Sequence, residues 1–228
     1  MKKLILLLCV SFILLSCSSS GLTAEKSAST EKSINNLGYV TAYEGYQLAI
    51  KKMRADGYDD SCINLIDIKS LLNTSLYKFG YIVSNMSFSG DNIGKSNYWL
   101  YSINYNKDNK DNYLYVYCVI ENGVPIIDIN QQNKEFAKIQ KVKSNRYITL
   151  TKENDSPVFV KKLIENSNFS EASIISLSYL PQYFKNFAQF QFQEDIPYWM
   201  AVTNDESKRF LLLSDNNILK NSLEYIKN

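Results

Sequence analysis

Residues 98–129 read "YWLYSINYNKDNKDNYLYVYCVIENGVPIIDI": three apolar and aromatic runs divided by two polar turns. Asn122-Gly123 is a strong signal for a tight hairpin, because both residues accept the left-handed backbone such a turn requires. The earlier loop, Asn106 to Asn112, is polar throughout. The stretch therefore predicts a three-stranded antiparallel meander. If the first turn centres near Asn109, Tyr105 faces Tyr113 and Tyr101 faces Tyr117. Trp99, Tyr101, Tyr105, Tyr113, Tyr115 and Tyr117 then share one sheet face. Such a face can stack on sugar rings or grip a peptide, since tyrosine offers area and a hydroxyl at low entropic cost. The plainer and favoured reading is that cross-strand aromatics stabilise the sheet or pack between neighbouring units. A one-residue change of register dissolves the cluster.

Working outward, the chain echoes itself. Thr41-Ala42-Tyr43-Glu44 has the spacing of a capping box. Ala42, Tyr46, Ala49, Ile50 and Met53 follow at helical spacing, and Gly57 suits a helix stop. Ser156-Pro157 predicts a second helix, with Ser as cap and Pro in the first turn and an apolar stripe of Val160, Leu163 and Ile164. "IKKM" (50–53) mirrors "VKKL" (160–163), and each helix precedes an apolar run, "CINLIDI" (62–68) and "SIISLSYL" (173–180). "YWLYSI" (98–103) returns as "YWMAV" (198–202). The second hairpin continues as "RFLLL" (209–213), turns at Asn216-Asn217 and leaves as "ILK" (218–220). The shared order predicts an α+β fold of two divergent helix-plus-antiparallel-sheet units in tandem, residues 38–145 and 146–228. Each helix would bury its stripe on one sheet face. Trp99 and Trp199 are equivalent in this scheme, and core anchoring outweighs twin binding sites.

This pattern resembles tandem cystatin-like units of the PepSY type. The Asn122-Gly123 turn comes near that family's closing turn, whereas Asp215-Asn216-Asn217 departs from it. The resemblance implies noncatalytic ligand binding or peptidase inhibition and transfers no site residue.

The amino terminus carries a different signal. Met1-Lys2-Lys3 is a short basic start, and Leu4 to Leu15 is a twelve-residue apolar run interrupted only by Ser11. A transmembrane helix needs about 20 apolar residues, so the run fits a signal peptide, residues 1–16. Leu14-Leu15-Ser16-Cys17 resembles the lipobox of bacterial lipoproteins. That resemblance implies cleavage before Cys17, a diacylglycerol on its thiol and usually a third acyl chain on its new amine. One acyl chain holds a bilayer only marginally, whereas two or more anchor firmly. An ordinary signal peptide cut after Ala24 is the alternative, but Leu22 suits that cleavage poorly. Ser18 is not the aspartate that retains such proteins at an inner membrane. The resemblance thus implies a lipid-anchored protein of the bacterial cell envelope, in the outer membrane if the cell has two. Residues 17–37 are small and polar and read as a flexible tether with a reach of roughly 25 Å.

Composition narrows the function. The chain has 228 residues, 45% of them hydrophobic, which suits a folded body. Two of its 25 basic residues, Lys2 and Lys3, leave with the signal peptide and balance the rest against 23 acidic ones. Nucleic acid is therefore not an expected partner. Lys51-Lys52 and Lys161-Lys162 read as solvated helix faces. Histidine is absent, which removes Ser-His and Cys-His nucleophiles and imidazole metal sites. No phosphate-binding glycine loop and no Gly-x-Ser-x-Gly motif occurs. We expect no enzyme, no metal and no cofactor beyond the acyl-glycerol on Cys17.

Cys62 and Cys118 remain once Cys9 is removed and Cys17 acylated. They either pair as a disulfide or stay free; the alternation of Cys118 with Leu114, Val116 and Ile120 favours two free thiols. "DGYDD" (56–60) and the 106–112 loop lack the ligand spacing of a calcium site. Glu121 and Asp128 are the carboxylates a hydrolase would use, the minority alternative. The leading expectation is a noncatalytic binding body for a peptide, protein or glycan, with a part in an envelope assembly as the alternative.

Overall fold

A computed structural model of the chain describes residues 38–79, 82–131, 146–167, 172–178, 197–202, 209–213 and 223–224. The expected signal peptide, Cys17, the expected tether, the expected Asn216-Asn217 turn and "ILK" lie outside these residues. The fold is α+β. Helix α1 (Ala42–Ala55) leads into β1 (Ile63–Leu71), the short strands β2 (Ser75–Leu76) and β3 (Ile82–Val83), and the meander β4 (Tyr98–Lys107), β5 (Lys110–Glu121) and β6 (Val124–Gln131). Helix α2 (Ser156–Ser167) leads into β7 (Ile174–Ser178), β8 (Tyr198–Val202), β9 (Arg209–Leu213) and β10 (Leu223–Glu224). The long strands form one antiparallel sheet in the order β10-β9-β8-β7-β1-β4-β5-β6. The two meanders therefore meet edge to edge at β1–β7, where Ile68 pairs with Leu177. The closing strand of the second meander is Leu223–Glu224, paired with Leu211 and Phe210, which falls later than the sequence predicted.

Helix α1 begins at the predicted capping box: the Thr41 hydroxyl accepts the Glu44 N–H at 3.1 Å and the Glu44 carboxylate accepts the Thr41 N–H at 2.9 Å. The next two N–H groups find partners from α2. Ala42 N–H donates to Ser156 Oγ at 3.0 Å, and Tyr43 N–H to Asp155 Oδ1 at 2.9 Å. All four amides that a helix start leaves without internal partners are thus satisfied by side chains. Asp155 also accepts the Ser156 N–H at 2.7 Å, and its carbonyl accepts that of Val158. It, and not Ser156, stands before α2; the Ser156 hydroxyl serves α1 instead.

The helices cover the front face. There Tyr101, Ile68, Leu177 and Trp199 are fully or almost fully buried. Trp99 and Trp199 meet edge to face at 6.4 Å, and Phe159 of α2 stacks on Trp199 at 5.4 Å. Each indole N–H donates to the carbonyl two residues before a helix, Trp99 to Val40 at 3.0 Å and Trp199 to Asn154 at 2.8 Å. Both tryptophans are core anchors, as expected. At Gly45 α1 comes so close to the sheet that a Cβ would lie 2.4 Å from Tyr101 Oη. That hydroxyl donates to the Ala42 carbonyl at 2.8 Å.

Two local departures set which residues face back. The β4–β5 loop is a two-residue turn, Asp108-Asn109, with φ of 54° and 58°. Lys107 pairs with Lys110, so Tyr105 faces Asn112 and Tyr101 faces Val116. The predicted register is off by one. In β1, Leu65 pairs with Ile103 but Asp67 pairs with Ser102, leaving Ile66 as the extra residue of a bulge. The Leu65 carbonyl accepts the Ile148 N–H at 2.8 Å. After the bulge Ile68 faces the front core and Asp67 the back.

Replacing Gly45 with Ala forces α1 off the sheet. We expect a loss of roughly 1–3 kcal/mol, read as a lower urea midpoint with an unchanged slope. Burial raises the Asp155 pKa, opposed by bonds from Thr41, Tyr43 and Ser156. A raised acid favours the folded state most below its unfolded value, and that contribution fades as pH rises through the folded one. Asp155→Ala should cost about 2–3 kcal/mol at neutral pH by stranding two N–H groups. Asp155→Asn should cost less, and wild type should gain stability relative to it as pH falls from neutral toward about 4. Urea titrations of the three proteins across pH test this.

Candidate functional site

The predicted six-residue aromatic face does not form. Because the turn at Asp108-Asn109 shifts the register by one, Trp99, Tyr101 and Tyr105 point into the front core, with Tyr105 ring-edge against Tyr58 at 4.9 Å. Tyr113, Tyr115 and Tyr117 point to the back. Tyr113 is buried, whereas Tyr115 and Tyr117 are half-buried.

The segment between β1 and β4 covers one end of this back face. Ile82, Tyr98 and Val119 form a small second core there, flanked by Leu71, Leu76, Phe79, Leu100 and Tyr117. Asn97 fastens the segment down, accepting the Asn85 N–H at 2.6 Å and donating to the Val83 carbonyl at 2.9 Å. Burial also pushes the Tyr98 phenol up.

Beside that core two rows of side chains cross the strands. One row is Ser176, Lys69, Leu100, Tyr117 and Asp128; the other is Asp67, Ser102, Tyr115 and Asn130. Together they make a polar band with two tyrosines in it, reaching across five strands from β7 to β6, about 19 Å at the usual strand spacing. Asp67 is 2% exposed and accepts the Ser102 hydroxyl at 2.7 Å, with Lys69 Nζ 3.8 Å from its other oxygen. Burial raises the Tyr115 phenol, and Asp67 and Tyr117 add to the effect. At the β6 end Asp128 forms an ion pair with Lys78, whose ammonium lies 5.4 Å from the Tyr117 ring centre. The Lys78 hydrogen bond holds the Asp128 carboxyl below its ordinary range, aided by the Asn130 amide at 2.7 Å and opposed by burial. Beyond the band, Asp111 accepts from Asn106 at 2.6 Å and from Asn104 at 3.0 Å, and the Asn104 amide also reaches the Tyr147 hydroxyl at 3.2 Å.

The other predicted groups lie apart. Cys62 and Cys118 are free thiols. Cys62 precedes Ile63, which pairs with Tyr105 and through it Asn112, whereas Cys118 is six residues further along β5. At strand rise that is about 20 Å, far beyond the reach of a disulfide. Cys118 packs near Gly45, and burial pushes its thiol up to about 12. Glu121 and Asp128 sit on adjacent strands about 14 Å apart, since Asp128 pairs with Tyr117. Paired carboxyls in glycoside hydrolysis stand within about 10 Å. In "DGYDD", Asp56 and Asp60 pair with Lys52 and Arg54, and Asp59 caps a turn by accepting from Ser61. Among the described residues no group of three or more acidic, Cys or His side chains is placed to hold a metal ion.

Sequence reasoning missed Asp67, Ser102 and Asn130. The signal for Asp67 was present: Ile63 and Leu65 alternate, then Ile66 and Ile68 alternate one step out of phase. Ser102→Ala should cost about 1–3 kcal/mol in chemical unfolding, because Asp67 keeps its burial and loses its short donor. No family model matches the chain, and neither the curated proteins nor the solved structures contain a significant match to it.

Proposed function

We propose that this protein is a lipid-anchored component of a bacterial cell envelope whose α+β body binds a ligand without chemical turnover. The observation that carries this reading is Leu14-Leu15-Ser16-Cys17, placed where an apolar run behind Lys2-Lys3 gives way to a small polar tract. Cys17 bears the acyl-glycerol, and residues 17–37 tether the body to the membrane, in the outer membrane where two are present. The lipid raises the effective concentration of the body at the surface. The ligand surface in this reading is the β5–β6 end of the back face, where the half-buried Tyr115 and Tyr117 stand beside Asp128 and Asn130.

The body is, in this reading, a duplicated cystatin-like unit whose copies have merged into one sheet. Its support is the repeated order of helix and meander and the matching indole bonds of Trp99 and Trp199.

Cells expressing the full chain and fed an alkynyl palmitate analogue should incorporate it into the membrane-bound mature protein. Cys17→Ser should abolish the label and leave the precursor uncut. A wild-type protein that stays unlabelled, with unchanged fractionation of the variant, refutes the anchor.

A further inference from the structure

We infer that the end of the sheet carrying the β5–β6 turn and both helix starts rests on the bilayer that holds the protein, with exposed valines entering the lipid interface; this rests on the reading of Cys17 as the anchor. The place where the body begins selects that end. Twenty residues, 18–37, separate Cys17 from Gly38. Gly38 packs against the β5–β6 turn, where a Cβ would lie 2.7 Å from Ile120 Cγ2 and 3.1 Å from Gly123 Cα. Two backbone bonds, of 3.0 and 2.9 Å, then clamp Val40 to Ser96 just ahead of β4. A flexible stretch of about 20 residues reaches roughly 25 Å. The opposite end, at the Asp108-Asn109 turn, stands about 30 Å further along β4. The near end therefore meets the membrane surface more often than the far one.

The exposed apolar side chains gather at that same end. Among the described residues the exposed large hydrophobics are Val83, Val124, Tyr147 and Val158. Val124 is 60% exposed and follows the Asn122-Gly123 turn directly, with exposed Pro125 beside it. The Val83 carbonyl accepts from Asn97, the residue before β4. Val158 stands in the first turn of α2, beside Pro157, which lies close to Gly94. Tyr147 alone is elsewhere, its hydroxyl 3.2 Å from Asn104 in the far half of β4. A single exposed valine is ordinary on a protein surface. Three from distant parts of the chain, all at the end where an acylated chain enters, have an apolar partner at hand in the lipid.

Charge decides the manner of contact. Around the turn and the helix starts Glu44, Asp91, Glu121 and Glu153 stand against Lys95 and Lys152. An excess of carboxylates draws no anionic headgroup, so the contact is apolar and suits neutral lipid. Lys107 and Lys110 flank the turn at the far end. An electrostatic contact with anionic lipid would present that end instead, so the two kinds of contact predict opposite orientations.

The test uses the full lipidated protein in phosphatidylcholine vesicles. Val124→Cys, Val158→Cys and Lys110→Cys, each in a Cys62→Ser background, carry a nitroxide; Cys17 is blocked by its thioether, and Cys118 is buried. Relaxation of the label by oxygen is compared with relaxation by a water-soluble nickel chelate. The oxygen-to-nickel ratio should be severalfold higher at 124 and 158 than at 110. Val124→Asp should lower the ratio at 158 toward that at 110, with an unchanged unfolding midpoint and an unchanged palmitate label. Equal ratios at the three positions, or the highest ratio at 110, overturn the proposal while the palmitate label leaves the anchor standing. A chain that takes up no label removes the anchor and this proposal together.

Discussion

The structure depends on one shared acceptor. Asp155 sits where two helix starts converge and takes N–H groups from both, Tyr43 of α1 and Ser156 of α2. Each start carries partial positive charge, and a carboxylate between them answers both. The exchange is reciprocal in part, since Ser156 also gives its hydroxyl oxygen to the Ala42 N–H. No helix of 14 or 12 residues is secure in water by itself. Here each is fixed by its stripe on the sheet and by the end of the other. Separating the halves would strand donors on α1 and a carboxyl on α2 together.

The tryptophan pair carries that junction into the sheet. Trp99 and Trp199 touch each other, and each holds the carbonyl two residues ahead of a helix. The indoles therefore set where each helix enters the front face. β1 and β7 complete the tie through backbone pairing, so the halves are joined at the helix ends, in the core and along the sheet. Moving either helix start by one residue disturbs all three. Gly94 shows how tight the region is: with φ of 73°, it lies against Pro157 and Ser156, where a Cβ would fall within 2.7 Å of backbone atoms. Few side chains other than none at all fit that conformation and that space.

Local signals were legible and long-range ones were not. The capping box, the Asn122-Gly123 turn and the order of helix and meander are written in neighbouring residues, and the structure has them. Asp108-Asn109 is a poorer sign of a two-residue turn than Asn-Gly, because only glycine takes the left-handed region freely. Placing that turn one residue away moved three aromatics to the wrong face. The bulge at Ile66 was hidden by the same arithmetic, since a strand face is fixed by counting in twos. The Asp155 bridge joins residues 112 positions apart, and no local pattern announces it.

Those two single-residue features also explain why a polar band exists. Without the bulge, Asp67 would continue the face of Ile63 and Leu65 and enter the front core, where no Ser102 hydroxyl waits. Without the two-residue turn, Tyr115 and Tyr117 would face the helices, and Val116 and Cys118 would lie on the back. The core would gain phenols it has no room to satisfy near Gly45, and the back would lose its aromatic faces. The bulge costs the β1–β4 ladder a regular step, and the Ile148 N–H recovers the freed Leu65 carbonyl. A sheet shaped only for stability needs neither departure, because an apolar residue at position 67 would pack without a bulge or a buried carboxylate. Local irregularity thus brings Asp67, Ser102 and the two tyrosines to the back of the sheet, where Asp67 and Ser102 are buried against each other and the tyrosines are half-buried.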